Sequence, residues 1–363
     1  MKLSPLFSWI RRHKTLTVFL FVLLVASLFA CHVRSNMGRA PNAADIARFQ
    51  ASPNYVDGQF KNRHELPKAV ETLKEIQRLR VFSPLKFLFS NEGRPDTPPP
   101  IHKLTRDDFA NPPADFRVTW LGHATLLIEL DGIRILTDPV FSSASPVPGL
   151  MRRFNSPPLA RKDLPQIDIV LISHDHYDHL EAATMRWFAK KRGTRFVVPL
   201  GVGARLRGWG VKNDNITELD WFQTLAFSNV VLTAAPTHHR SGRTFRDSRA
   251  TLWSAWIIAG AGHKIFFGGD GGYDSDFALL GEKYGPFDIA ALGIGAYNER
   301  WAANHLFPEE AVLATRDLRA ECLLPLHWGA YRLAPHAWDE PVKRVVEAAK
   351  KDDVRLLSPL PGE

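Results

Sequence analysis

The sequence predicts an α/β protein in which two β-sheets pack face to face with helices outside. Short apolar runs recur from Phe116 onward, and several are separated by stretches of helical spacing. Some neighbouring runs are close enough to be hairpins and others need crossovers, which suggests mixed sheets. Several runs end in a histidine or an aspartate, as a site at one edge of a sheet sandwich requires. The 363 residues, 45% of them hydrophobic, suffice for a large core and one or two domains. No internal repeat or low-complexity tract interrupts them.

Val118–Trp120, Ala124–Leu130 and Ile133–Thr137 read as consecutive strands, with Asp131-Gly132 as a hairpin turn. Asp138 to Lys162 is loop-like and proline-rich. Ile167–Ile172 is a short β-branched run with the look of a buried strand, and Leu180–Lys191 has helical spacing. Strands follow at Phe196–Pro199, Ile216–Leu219, Val230–Ala234, Leu252–Ala259, Lys264–Phe267, Ile289–Ile294, Leu323–Leu326 and Val354–Leu357. Between them lie helices at Val202–Trp209, Phe277–Tyr284, Pro308–Arg319 and Asp339–Lys350.

The segment before Phe116 differs in character. Thr15 to Ala30 is apolar and uncharged, preceded by Arg11, Arg12 and Lys14. It reads as a cleaved signal, a signal anchor or a lipoprotein signal ending at Cys31, with Leu28-Phe29-Ala30-Cys31 resembling a lipobox. Membrane attachment is favoured, and the positive flank places the N-terminus in the cytoplasm and the rest outside it. The expected location is a bacterial cell envelope, anchored in the inner membrane with the catalytic part on the periplasmic side. Residues 32–62 read as a linker or a surface-hugging extension. Residues 64–91 contain an amphipathic helix, with Val70, Leu73, Ile76 and Leu79 on one face. The expected divisions are 1–31 as anchor or signal, 32–110 as linker and helical extension, and 111–363 as catalytic domain.

The net charge of +8 is concentrated at the N-terminus. Residues 1–40 carry six basic side chains and no acidic one, leaving 40 basic against 38 acidic residues elsewhere. A nucleic-acid partner is not expected from so balanced a catalytic part. The two cysteines, Cys31 and Cys322, do not suggest a disulfide framework.

The chemistry concentrates in Ser173-His174-Asp175-His176-Tyr177-Asp178-His179, between a strand end and a helix start. Imidazole and carboxylate donors this dense suit a first-row metal better than a solvated loop with chance histidines. Thr237-His238-His239, Asp270 among four glycines, His327 and His305 stand at or near later strand ends. A lone histidine at such a place is ordinarily structural, but four such places beside the cluster point to a shared site. The glycines flanking Asp270 permit a tight turn. Asp138 and Asp175 are candidates for carboxylates that orient the histidines, a turn-forming role being the alternative. His123 and His305 are candidates for contacting substrate or giving a proton, with a structural role as the alternative.

His-Asp-His-Tyr-Asp-His at 174–179 resembles the HxHxDH signature of the metallo-β-lactamase superfamily. Further blocks resemble its branch containing N-acyl-phosphatidylethanolamine-hydrolysing phospholipase D: Thr119 to Thr125, Thr137-Asp138-Pro139, Pro236 to His239, Gly269 to Tyr273, Asn304-His305 with Pro308 to Ala311, and His327-Trp328-Gly329. Ascorbate-6-phosphate lactonase-like proteins are similar but more distant. The resemblance spans about residues 110–335. It implies an αββα sandwich and two divalent ions, zinc being expected and manganese or iron the alternatives. It implies that His174, His176 and His239 hold one ion, that Asp178, His179 and His327 hold the other, and that Asp270 bridges them. His305 matches a family histidine that handles substrate, and Asp178, Asp270 and His305 are the expected catalytic residues. The Pro-x-x-His spacing selects His239 over His238. Arg240 departs from the aromatic that relatives often carry there, which changes the pocket wall.

The expected function is a membrane-attached binuclear hydrolase acting on phosphodiester bonds of phospholipid-like substrates through a metal-bridging hydroxide. A lactonase or other carbonyl hydrolase on the same metals is the alternative. A non-catalytic envelope protein with a degenerate site is a third reading, against which the complete ligand set argues. The expected partners are a lipid or small-molecule substrate and the membrane.

Overall fold

The computed structural model describes residues 13–65, 87 and 90–363. The amphipathic helix expected around Val70 to Leu79 lies outside the described residues. Helix α1 (Lys14–Met37) has no buried residue and runs without a break through Cys31. At about 1.5 Å per residue its 24 residues extend for roughly 36 Å, against about 30 Å for a bilayer's hydrocarbon core.

The extension after α1 hugs the surface. Helix α2 (Ala43–Phe49) starts at a capping box, with Asn42 and Asp45 satisfying each other's backbone N–H groups. Strands β1 (Tyr55–Val56) and β2 (Gln59–Phe60) form a small hairpin. Phe49 and Phe60, both fully buried, pack with Trp221, Leu252 and Trp253.

Two mixed sheets follow. The first has the order β3 (Phe116–Trp120), β4 (Leu126–Leu130), β5 (Ile133–Thr137), β6 (Ile169–Leu171), β7 (Arg195–Pro199), β8 (Ile216–Leu219). Strands β3 to β5 are antiparallel and β5 to β8 parallel. The hairpin between β4 and β5 turns on Asp131 and Gly132, both at positive φ, as a two-residue turn matched to strand twist demands. The second sheet runs β15 (Arg355–Leu356), β14 (Ala320–Leu326), β13 (Phe287–Gly293), β12 (Lys264–Phe267), β11 (Ala255–Ala259), β10 (Val230–Ala235), β9 (Thr224–Phe227). Strands β9 to β12 are antiparallel and β12 to β15 parallel.

Trp120, Ile128, Ile169, Val197, Trp256, Phe267 and Leu324 interdigitate between the sheets. Each such buried side chain contributes roughly 1.5–3 kcal/mol of transfer free energy. Helices α3 (Ala182–Phe188) and α4 (Val202–Gly208) cover the outer face of the first sheet. Helices α5 (Asp276–Tyr284), α6 (Pro308–Asp317) and α7 (Glu340–Lys351) cover the second. The result is the expected αββα sandwich. Strand β9, absent from the sequence-based expectation, is an edge strand whose residues are exposed or half-buried.

Candidate metal centre

The topology brings the predicted donors to one edge. Strands β5, β6, β10, β12 and β14 all deliver their C-terminal ends there, followed by Asp138, the 174–179 loop, His239, Asp270 and His327. Three of the residues at this edge hold positive φ without being glycine: His123 (56°), Asp138 (34°) and His327 (65°). Such strained backbone concentrates where function over-determines it. Gly269 lies at φ 58°, and a Cβ there would come within 2.6 Å of Ser173 Cβ, so the approach of Asp270 requires glycine.

The donor atoms of His174, His176, His239 and Asp270 lie within 4.8 Å of one another. So do those of His123, Asp178, His179 and His327, and those of Asp270, His305 and His327. Asp270 therefore belongs to two groups. Its Oδ2 is 3.2 Å from His179 Nε2, 3.8 Å from His239 Nε2 and 3.9 Å from His174 Nε2. Its Oδ1 is 3.2 Å from His327 Nε2 and makes no well-formed hydrogen bond. All of the predicted ligands thus converge, and His238 does not, its Nδ1 being tied to Ala303 O at 2.7 Å.

Second-sphere bonds fix which ring nitrogens face inward. His179 Nδ1 donates to Asp138 Oδ2 at 2.7 Å. The Ser173 hydroxyl donates to the same oxygen at 2.5 Å and accepts from His174 Nδ1 at 2.9 Å. His239 Nδ1 donates to Asn304 O at 2.9 Å. Each neutral imidazole has one proton, so His174 and His239 aim Nε2 lone pairs at the shared space, as His179 does once its Nε2 proton is lost. His174 Nε2 and His176 Nδ1 are 2.8 Å apart, and His179 Nε2 and His327 Nε2 are 3.1 Å apart. Tetrahedral nitrogen ligands at about 2.0–2.1 Å from zinc would sit roughly 3.3 Å apart. Converging lone pairs at this spacing, beside a buried carboxylate oxygen with a free valence, fit divalent cations.

The charges agree. Burial pushes the His174, His176 and His239 imidazoles below their ordinary values, toward the neutral form that binds metal. Burial also lowers His123 to about 3 and His305 to about 4. Burial opposes ionisation of Asp178 and Asp270, but the neighbouring histidines, His179 foremost, hold both carboxyls well below their usual range. Burial likewise opposes the charge on His179 and His327, but Asp270 and Asp178 raise His179 well above its ordinary value and His327 to about 9. A cation entering there displaces those protons.

Two expectations are refined. Asp175 orients no histidine: Oδ1 accepts from Gly242 N at 2.7 Å and Oδ2 from Arg205 Nε at 3.1 Å. The turn-holding alternative applies, because the carboxylate faces the loop after His239 and not the imidazoles. His123 lies deeper than a substrate-contacting residue would. It is 1% exposed, its Nε2 is 3.0 Å from Asp178 Oδ2 and its ring is edge-on to Tyr331. His305 stands at the rim, its side chain 18% exposed and Nδ1 3.7 Å from Asp270 Oδ2.

Asn62 escaped the sequence reading. Its Nδ2 donates to His239 O at 3.0 Å, and its Oδ1 accepts from His239 N at 3.1 Å and from Trp253 Nε1 at 3.0 Å. Nothing in Lys61-Asn62-Arg63 marks it locally, since its partner is 177 positions away.

Known proteins resemble this chain. The profile of the beta-lactamase superfamily domain matches residues 133–328, more than half of the chain. The chain belongs to the metallo-β-lactamase superfamily. An uncharacterized protein of Mycobacterium tuberculosis is 42% identical over 330 residues, 88% of this chain and 87% of its own length. The N-acyl-phosphatidylethanolamine-hydrolyzing phospholipase D 1 of Caenorhabditis elegans is 37% identical over 249 residues, 65% of this chain and 70% of its own. A UPF0173 metal-dependent hydrolase of Methanopyrus kandleri is 29% identical over 246 residues, 67% of this chain and 97% of its own. Among solved structures, the isothiocyanate hydrolase from Delia radicum gut bacteria aligns with a TM-score of 0.55 at 19% identity, over 68% of this chain and 97% of that one. At that identity the likeness is of fold. This metallo-β-lactamase superfamily member is a metal-dependent hydrolase with His/Asp groups able to bind metal ions.

Proposed function

We propose that the protein is a membrane-attached two-metal hydrolase that cleaves phosphodiester bonds in phospholipid-like substrates. The observation that supports this reading is the meeting of two imidazole–carboxylate donor groups at Asp270, in a chain related to phospholipase D-type hydrolases. Helix α1 serves as the inner-membrane anchor, residues 32–110 as the extension and 111–363 as the catalytic domain on the periplasmic side. Zinc is the proposed ion, since imidazole-rich sets with carboxylates suit it.

His174, His176 and His239 would hold one ion, Asp178, His179 and His327 the second, and Asp270 both. Bound ions would supply an acidified water and positive charge for oxyanion development. Asp178 and Asp270 offset that charge. Asp138 keeps the His179 proton on Nδ1, so that Nε2 stays available. His123 Nε2 is placed to hold the orientation of Asp178. His305, neutral near pH 7 because burial lowers it to about 4, would hydrogen-bond the oxygen that leaves phosphorus.

The test is hydrolysis of N-acyl-phosphatidylethanolamine by the purified chain with zinc. Water adds to phosphorus, the phosphorus–oxygen bond to the alcohol breaks, and phosphatidic acid and N-acylethanolamine are the products. Hydrolysis of lactones with no phosphodiester cleaved would make the protein a carbonyl hydrolase instead. Less than one metal per chain after zinc-replete purification would favour a non-catalytic envelope protein. His174→Ala and Asp270→Asn are each expected to abolish turnover and keep the fold. Activity retained in both refutes the site.

A further inference from the structure

Loop 240–249 leaves the metal centre directly after His239 and is built to hold a shape. Asp247 Oδ1 accepts from the backbone N–H groups of Arg243 and Thr244 at 3.0 and 2.6 Å, and Arg205 Nη2 donates to its Oδ2 at 2.5 Å. The one carboxylate of the loop is therefore turned inward and neutralised. The side chains that remain outside are apolar, basic or small and uncharged. Phe245 is 108% exposed, while outside α1 no other large hydrophobic side chain among the described residues exceeds 45%. Arg240 and Arg246 are also exposed. A fully solvated phenylalanine in a rigid loop costs free energy unless something covers it.

The loop's position says what covers it. Arg243 lies two residues before Phe245 and is buried. Its guanidinium donates from Nη2 to Asn36 O in the last turn of α1, at 2.8 Å, and from Nη1 to Asp175 O and Leu180 O, at 2.7 and 2.9 Å. One side chain thus joins the end of the apolar helix to the loop of metal donors. Arg186 Nη2 and Trp209 Nε1 reinforce the seat, donating to Ser35 O at 2.7 and 2.9 Å. Cations and donors at a helix C-terminus satisfy its free carbonyls and oppose its negative pole. Two residues of chain reach about 7 Å at most, and the Arg243 side chain spans the rest of the way to Asn36 O, so the loop stands on the side of the protein at which α1 ends, near the level of its last turn. At that level a bilayer presents its headgroups. Aromatic side chains favour this interfacial layer, and arginines beside anionic lipid gain electrostatically.

We propose that loop 240–249 is a membrane-contact loop. Phe245 enters the boundary between acyl chains and headgroups of the leaflet from which α1 emerges, and Arg240 and Arg246 face its anionic phospholipids. The proposal rests on the membrane attachment given above. It makes the bilayer a second support of the metal centre, through Arg243 and the Asp175 and Leu180 carbonyls.

Depth measurement tests this without any turnover. The full chain is placed in phosphatidylcholine–phosphatidylglycerol vesicles carrying acyl-chain nitroxide quenchers. An environment-sensitive fluorophore is attached, in separate samples, to native Cys31, to Phe245→Cys in a Cys31→Ser background, and to Gly262→Cys in the same background. Cys322 is buried, and Gly262 lies in open space in the turn between β11 and β12. The expected result is several-fold stronger quenching at 245 than at 262, weakened when phosphatidylglycerol is replaced by phosphatidylcholine or when Arg240 and Arg246 are changed to glutamate. Strong quenching at Cys31 with equal, weak quenching at 245 and 262 overturns the proposal and leaves the anchor standing. Absence of quenching at Cys31 and 245 together overturns the anchor and the loop contact alike. Quenching at 245 in a protein that cleaves no phosphodiester supports the loop contact and counts against the proposed activity alone.

Discussion

Asp138→Asn tests how the protein holds its second donor group. Asp138 is fully buried, and its two oxygens take three donors: Ser173 N at 2.7 Å, Ser173 Oγ at 2.5 Å and His179 Nδ1 at 2.7 Å. Its φ of 34° is one that asparagine tolerates as readily as aspartate. The substitution therefore changes charge and donor pattern with little backbone cost. An asparagine oxygen can keep Ser173 N, but its amide then faces His179 Nδ1–H, donor against donor. The ring's simplest escape is to move its proton to Nε2, the atom 3.2 Å from Asp270 Oδ2, which removes the lone pair a metal would use. The lost charge-assisted bond is worth about 1.5–3 kcal/mol. Spent on metal affinity, that is consistent with the roughly 10–100-fold loss typical of such outer residues. Competition against a chromophoric chelator measures it. One of two bound ions is expected to weaken by that factor, the other to change little, and excess metal to restore activity. Unchanged affinity for both ions would refute the reasoning.

Asn62→Ala removes two hydrogen bonds to the His239 backbone and one from Trp253 Nε1. At about 1–3 kcal/mol for leaving buried polar groups unpaired, it should lower the thermal midpoint and weaken mainly the ion that His239 would hold, as read by denaturation with and without metal. Chelation should lower the thermal midpoint by several degrees, since each ion at 100 times its Kd contributes about 2.7 kcal/mol; an unchanged midpoint in a protein shown to have lost its metal would count against coupling of the centre to the fold. His263 bonds Asp288 at 2.9 Å and Asp115 at 2.7 Å, which raises its imidazole, Asp288 foremost. A raised histidine stabilises fully below its unfolded value of about 6.5 and ceases to as pH rises through the folded value. His263→Gln should therefore cost more stability at pH 5.5 than at pH 9, and a pH-independent difference would contradict it.

Much of the architecture was legible because it is written in local periodicity. The β-branched run Ile167–Ile172 contains the buried strand β6, and Asp131-Gly132 supplies the two positive-φ positions that the hairpin between β4 and β5 needs. What escaped was what local pattern does not encode. Thr224–Phe227 lacks a strong apolar signal because an edge strand is half solvated. Residues 43–60 looked polar because only Phe49, Phe60 and a few neighbours face inward. Asp175 sits between two metal-type histidines in sequence, yet its carboxylate turns to Arg205 and Gly242, because successive residues of an extended loop point to opposite sides.

The sequence by itself determined the chemistry. Histidine and aspartate at 174–179, 239, 270 and 327 form groups that could hold metal ions, and their places after apolar runs put them at sheet ends. Tertiary structure alone decided the pairings: Asp270 between the donor groups, Asp138 rather than Asp175 behind His179, Asn62 behind His239, and Arg243 between the apolar helix and the metal-donor loop. The physical reason is that such contacts depend on where distant strand ends meet and which way each side chain faces, and composition and spacing carry neither.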